Sequence, residues 1–398
     1  MMGLANTPYG FFSGFIMTSV PILLRAQNIS VEQIAFIVTL AASPMFWVFL
    51  ASPILDVRFT RRFYSILFAA IATVSLLLAV LLLRDIAILT ACLVVGYAAI
   101  CLYNYAFQSW MTEFMEEHHY AAVGASNNIS NLGTAGVFGG LSVLAVRMLP
   151  VPYDAVVLTI LFLSPFILIY FFPAATRPKR DSREVFRTFF GDLYALCRRQ
   201  TCRYGLLVFV VPVCSFALPF AAVGVEFNAS EKWSTLLNGP AASVVCSLGC
   251  LFAILACRRI SPRMIYVLTG LVGAAVTGAM MVAPRILLVF ILGRLLYSFF
   301  QGMCYTAFSS VLYGIVGRNN VLAGTQLALL SAASNLPVSY MTALDGVGFA
   351  HAGIQGMLAT DTFVTIAACV PILIFFGRVK RLGLEVQEPI SVLKDMAI

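Results

Sequence analysis

Long apolar runs, each of roughly twenty residues and separated by short stretches of charged and turn residues, dominate the chain. As a helix rising about 1.5 Å per residue, such a run crosses about 30 Å of hydrocarbon; a membrane β-strand would need only about ten residues in strict alternation. The runs fall at 4–24, 33–55, 63–83, 86–111, 123–146 and 154–173, then at 204–226, 237–257, 264–283, 286–316, 321–344 and 357–377. Numbered as spans one to twelve, they predict an all-α polytopic membrane protein, because helices satisfy their own backbone groups in lipid. The first run, Leu4 to Leu24, has no Lys or Arg before it and no small-residue cleavage site after it, so it reads as a retained span.

The pattern occurs twice. RRFYSILFAAIATVSLLL (61–78) resembles PRMIYVLTGLVGAAVTGA (262–279), with Tyr64 matching Tyr266 at an offset of 202, and AFQS (106–109) matches AFSS (307–310) at 201. The offsets, both about two hundred residues, predict two pseudo-symmetric six-helix halves, 1–173 and 204–377, joined by a basic linker at 174–203 and followed by a tail at 378–398. Two such halves, each with a basic loop between its second and third helices, are the pattern of the major facilitator architecture, whose solute site lies between the halves near the midplane.

Composition agrees: 61% of the 398 residues are hydrophobic and 11% charged. The net charge of +8 does not point to nucleic acid, because its distribution is that of a polytopic protein. With the N-terminus inside, nineteen Lys and Arg fall on the cytoplasmic side and five opposite, at Arg25, Arg84, Arg147, Lys232 and Arg285. That bias predicts both termini in the cytoplasm. In the linker, Phe186, Phe189, Phe190, Leu193 and Leu196 recur at helical spacing and predict a short helix on the membrane surface. The ten cysteines sit mostly inside apolar runs and read as free thiols.

Polar groups inside spans are costly and therefore candidates for function. Arg294 lies about 12 Å into span ten, counting eight residues from Ile286 at 1.5 Å each. Tyr297, Gln301 and Tyr305 follow it at i+3, i+7 and i+11. This stripe is expected to line a solute pathway in which Arg294 binds an anionic group such as a carboxylate; the alternative is an ion pair between helices. Span four carries an equivalent stripe of Tyr97, Cys101, Asn104 and Gln108, suited either to sugar and peptide groups or to bonds between helices. Asn127, Asn128 and Asn131 in span five, and Gln326, Ser334 and Asn335 in span eleven, admit the same two readings. If protons drive transport, an acid must titrate, and Glu226, Asp361 and Glu113 are the candidates, the first two also readable as wet rim residues. Gly124, Gly133, Gly136, Gly139 and Gly140 read as close-packing positions in span five, and Pro212, Pro219 and Pro240 as kinks.

Between spans two and three stands SPILDVRFTRRFY, residues 52–64, where Asp56 is followed by Arg58, Arg61 and Arg62. An acid at a helix C-terminus opposes the helix dipole, so an arginine of its own loop or a neighbouring helix end must hold it. The cluster is expected to act as a gating latch; a plain positive-inside anchor would need the arginines but not Asp56.

Phe12-Ser13-Gly14, the SPILD segment (52–56) and the stretch from Cys101 to Met115 with Trp110-Met111-Thr112 resemble the muropeptide permeases of the AmpG type and their acetyl-CoA and siderophore permease relatives. The resemblance covers mainly residues 10–145. It implies a bacterial inner-membrane permease that imports anhydro-sugar peptides by proton symport. The chain departs from that pattern at Val48, where the family carries a lysine, and at Asn104 and Gln108, where it carries acids. The expected protein is a secondary transporter of a polar or amphipathic anionic solute, working by alternating access as a monomer in lipid, with no cofactor and no metal. A siderophore permease or drug exporter of the same fold is the alternative. An integral-membrane transferase lacks a catalytic cluster, since adjacent His118 and His119 are expected to point apart and His351 to lie in a distant loop. A channel fits the repeat less well than a transporter does.

Overall fold

In the computed structural model, residues 1–173, 187, 190, 191, 194, 195, 198, 200–213, 220–318, 320 and 322–381 are described. The residues that carry the expected linker helix, apart from Phe190, lie outside the described set, as do Pro219 and most of the tail. The described residues form helices and connecting turns without a strand. Among the described residues ten helices are long and apolar enough to cross a membrane: Met2–Ala26, Glu32–Leu50, Arg61–Leu81, Ile86–Met111, Glu117–Met148, Tyr153–Phe171, Lys232–Cys257, Pro262–Val282, Leu287–Val316 and Ala323–Phe376. The last is spans eleven and twelve run together, and span seven is described as Gln200–Phe209 and Phe220–Glu226.

Where the sequence expectation fails, the cause is proline or glycine. Span two, expected as one helix over 33–55, is α-helical at Val31–Ala42 and passes through short helical turns at Pro44–Trp47, Val48–Leu50 and Ser52–Asp56. Pro44 and Pro53 lack the N–H that a continuous ladder needs, and their rings crowd the preceding turn. Span six likewise tightens into a 3₁₀ helix over Ser164–Phe171, and spans one and eight widen into π turns at Phe15–Ser19 and Leu237–Ala241. Pro21 and Pro240 displace the carbonyls four residues before them, Met17 and Leu236.

The stretch 345–356, expected as a loop, is helical on both sides of one break, at Ala352 and Gly353. Gly353 has φ 57° and ψ −146°, a conformation open almost only to glycine, so the reversal needs two residues and not twelve. His351 is therefore at the end of a helix and not in a long loop.

The internal repeat extends to turn chemistry. Asn28 and Asn228, two hundred residues apart, both adopt positive φ (62° and 58°) after their helices end. Two residues later Ser30 and Ser230 cap the next helices, accepting bonds from the backbone N–H groups of Gln33 (3.3 Å) and Trp233 (3.5 Å).

The described residues cluster into two compact units. One comprises Met1–Phe114, Ser130–Arg198 and Val316–Ala332; the other comprises Met115–Ile129, Arg199–Ile315 and Ala333–Ile398. The first is packed by aromatic rings, with Phe11, Phe12, Tyr103, Phe107, Trp110 and Phe162 fully buried. Gly10 and Gly14 let the backbone of span one touch that of span five, because a Cβ at either would overlap the carbonyl of Asn131 or Ala135. In the second unit, Gly249 and Gly302 bring spans eight and ten equally close. Its core includes Val223, Phe227, Phe290, Ile354, Met357 and Leu358.

Candidate functional site

Two polar clusters are formed, one in each unit. The first is built on the charged turn. Asp56 is fully buried, and its carboxylate accepts bonds from the backbone N–H of Gly324 (3.1 Å), the backbone N–H of Thr325 (2.8 Å) and the Thr325 hydroxyl (2.8 Å). These are the first residues of the helix that begins at Ala323, so the acid sits on the positive end of a helix dipole. Arg61 lies 3.5 Å from Asp56 and donates to Glu113 Oε1 (2.9 Å), the Ser109 carbonyl (3.0 Å) and the Asn320 carbonyl (2.7 Å). Asn320 donates in turn to Gln326 Oε1 (2.6 Å) and accepts from the Leu322 N–H (3.0 Å). Burial pushes the Asp56 carboxyl up from its usual range, while Arg61 and the donors of Thr325 and Gly324 pull it down.

Both holders anticipated for Asp56, an arginine of its own loop and a neighbouring helix end, are thus present. Glu113, one of the acids expected as candidates for proton coupling, is a member of this network with 7% side-chain exposure. The other two arginines are placed elsewhere: Arg58 lies over the Phe59 ring at 5.1 Å, and Arg62 over the Tyr170 ring at 5.7 Å.

The second cluster surrounds Arg294, which is half-buried in span ten. Its Nε donates to Asn238 Oδ1 at 2.9 Å, and Nη1 donates to the Ser298 hydroxyl, which itself bonds back to the Arg294 carbonyl at 2.9 Å. Asn238 stands on the π turn of span eight, so the proline that widens that helix also delivers the amide to the guanidinium. Of the rest of the stripe, Gln301 donates to the Tyr305 hydroxyl (3.1 Å), while Tyr297 is 2% exposed and packs in the apolar core. Asn128 of span five donates to the Tyr305 carbonyl and to Ser309 Oγ, both at 3.0 Å, and Asn127 donates to the Tyr313 hydroxyl at 2.8 Å. Gly124 faces Ser309 across the same contact, and Gly139 faces Thr18, while Gly133 and Gly140 have open space where a Cβ would stand.

In span four, Gln108 donates to Asn104 Oδ1 (2.7 Å), and Tyr97 stacks on Tyr9 with ring centroids 6.2 Å apart. Asn6, one residue after Ala5 whose carbonyl accepts from Tyr103 (2.6 Å), is buried with neither amide atom hydrogen-bonded. Asn131 is half-buried with Oδ1 unpartnered, and Asn335 is half-buried in span eleven. Glu226 is exposed and ion-paired to Arg285 at 2.9 Å. Asp361, by contrast, is 3% exposed. His118 and His119 do not point apart: their 3₁₀ turn brings the ring centroids to 3.8 Å, beside Glu116 on an exposed surface.

Sequence reasoning missed Asn238, Asn320, Thr325 and Asp345. The Asn-Gly-Pro run at 238–240 was a readable signal, since turn residues inside an apolar span mark a distorted helix. Asp345 was hidden by the assumption that a loop began there.

No protein-family model matches the chain, and no curated protein matches it in sequence. Solved structures do share its fold. The human organic anion transporter MFSD10 (TETRAN) superposes with a TM-score of 0.71 at 15% identity, covering 93% of this chain and 96% of that one. The fucose:proton symporter FucP of E. coli gives 0.69 at 14% identity over 93% and 97%. The proton:xylose symporter XylE, bound to 6-bromo-6-deoxy-D-glucose, gives 0.66 at 15% identity over 94% and 94%. The fold is that of the major facilitator superfamily.

Proposed function

We propose that the chain is a secondary transporter that moves a polar or amphipathic anionic solute across the membrane by alternating access. The observation that carries this reading is Arg294, a cation held inside a span by Asn238 and Ser298 in a chain with the major facilitator fold. A guanidinium at that depth can engage a carboxylate through two parallel N–H bonds. That one fold neighbour is an organic anion transporter is in keeping with such a solute. The resemblance of residues 10–145 to AmpG-type permeases favours a muropeptide-like anion, import and a bacterial inner membrane. The charge bias of the loops favours cytoplasmic termini.

In this reading the Asp56 network is the latch. It ties residues 56–61 to the start of span eleven in the described state, and alternation requires the contacts of Gly324, Thr325 and Asn320 to part. Arg61 then keeps Glu113 as a partner, so neither arginine nor acid is left wholly bare. The Gln301–Tyr305 pair, on the same helix as Arg294, supplies neutral donors and acceptors for sugar or amide groups of the solute.

The test compares N-acetylmuramic acid with N-acetylglucosamine, two sugars that differ by one lactyl carboxylate, for binding to the purified protein. Wild type is expected to prefer the acid at least about tenfold, about 1.4 kcal/mol, and Arg294→Gln to erase the preference. Equal binding of the two sugars by wild type, or a preference that survives in Arg294→Gln, contradicts the site.

A further inference from the structure

Asp345 and Asp361 stand on the two arms of the helical hairpin that reverses at Ala352 and Gly353. Asp345 is 0% exposed and Asp361 3%. The register of the hairpin is fixed by glycine contacts: a Cβ at Gly356 would overlap the Gly348 carbonyl, and one at Gly348 would overlap the Thr360 hydroxyl. Asp345 lies three residues before Gly348 and Asp361 one after Thr360, so the two acids share one level of the hairpin, about 10 Å along the helix from the reversal.

Their surroundings are unequal. Asp361 is followed by Thr362, whose hydroxyl meets that of Thr277 of span nine at 2.9 Å. Among the described residues neither carboxylate oxygen of Asp345 has a hydrogen-bond partner, and Asp361 stands on the facing arm of the hairpin. The other titratable side chain of the hairpin, His351, is exposed and bonded to the Val347 carbonyl. Among the described residues no lysine, arginine or histidine forms an ion pair with either acid. Two carboxylates so placed resist being ionised together while water is excluded: the low dielectric penalises each charge, and each charge penalises the other.

We propose that Asp345 and Asp361 form a proton-binding site that holds a single proton at neutral pH, carried by Asp345, with Asp361 as the anion. The inference rests on the transporter reading only for its further consequence, that this proton is the coupling ion. Binding adds H⁺ to an Asp345 carboxylate oxygen and takes the pair from a charge of −2 to −1; release reverses this and requires water to reach the hairpin to solvate the second anion. A substrate that carries its own negative charge is then accompanied by a proton.

The first experiment is infrared spectroscopy of the purified full chain, reading the carboxylic C=O stretch that an ionised carboxylate lacks. Wild type at pH 7 is expected to show a protonated carboxyl. Asp345→Asn removes that band, Asp345→Glu restores a carboxyl band, and Asp361→Asn leaves it in place at a shifted frequency. A wild type without the band, or an Asp345→Asn protein that keeps it, overturns the site. The second experiment adds N-acetylmuramic acid to proteoliposomes that contain a trapped pH dye. Wild type is expected to acidify the lumen as solute enters, and Asp345→Asn to exchange labelled solute without proton movement. Proton movement undiminished in Asp345→Asn overturns the coupling role. A wild type that moves no solute contradicts the transporter reading while the infrared result still decides the proton site.

Discussion

Asp56 and Asp345 are the same side chain, both with no exposed surface, in opposite circumstances. Asp56 accepts three hydrogen bonds from the start of a helix and has Arg61 at 3.5 Å; Asp345 has no hydrogen-bond partner for either oxygen. A buried charge that is fully satisfied fixes a conformation, because breaking any one partner exposes the others to an uncompensated cost. A buried acid that is left unsatisfied does not stabilise the fold and must be neutralised by something that comes and goes. The first arrangement suits a latch and the second suits a transported or coupling ion.

The contrast breaks most visibly at Arg61. Replacing it with Ala leaves Asp56 and Glu113 without their shared cation, and thermal unfolding of the purified protein is expected to report a loss of about 3–5 kcal/mol. Arg294→Gln removes a charge-assisted bond to a carboxylate solute, about 1.5–3 kcal/mol, read as a ten- to hundredfold weaker binding of N-acetylmuramic acid with unfolding little changed. Asp345→Leu should behave opposite to the arginine variant. Removing an unpartnered buried acid costs little or stabilises by about 1 kcal/mol, so a large loss of stability would mean that Asp345 has structural work comparable to that of Asp56.

A finer probe of the latch is Gly324→Ala. The new methyl would stand 2.9 Å from Leu55 Cβ and 3.1 Å from Asp56 Oδ1, so the contact must open by a few tenths of an ångström. The expected cost is about 1 kcal/mol, read as faster labelling of a cysteine placed at residue 55 by a water-soluble maleimide. Labelling unchanged from the Gly324 protein would show that the contact does not gate access. Arg62→Ala, which removes only the stacking on Tyr170, is expected to shift unfolding by about 0.5 kcal/mol or less.

What the sequence disclosed follows from how each signal is encoded. The spans were legible because lipid demands unbroken apolar length. Asp56 announced its need for a partner by its place at a helix end, and the partner, Gly324 and Thr325, lay 268 and 269 residues away, beyond the reach of any local pattern. Asp345 was misjudged because Gly346, Gly348 and Gly353 look like loop residues, whereas only Gly353 turns the chain and Gly348 serves close packing. Asn238 was passed over as part of a kink, though the kink is what presents it to Arg294.

The measurement that bears most directly on the account is accumulation of labelled N-acetylmuramic acid inside sealed proteoliposomes that contain the purified chain, set against empty vesicles and Arg294→Gln. The account predicts saturable uptake by wild type, competed by other carboxylate sugars and not by N-acetylglucosamine, and uptake at the level of empty vesicles for Arg294→Gln. Uptake by Arg294→Gln equal to wild type would contradict the assignment of the solute site to that arginine.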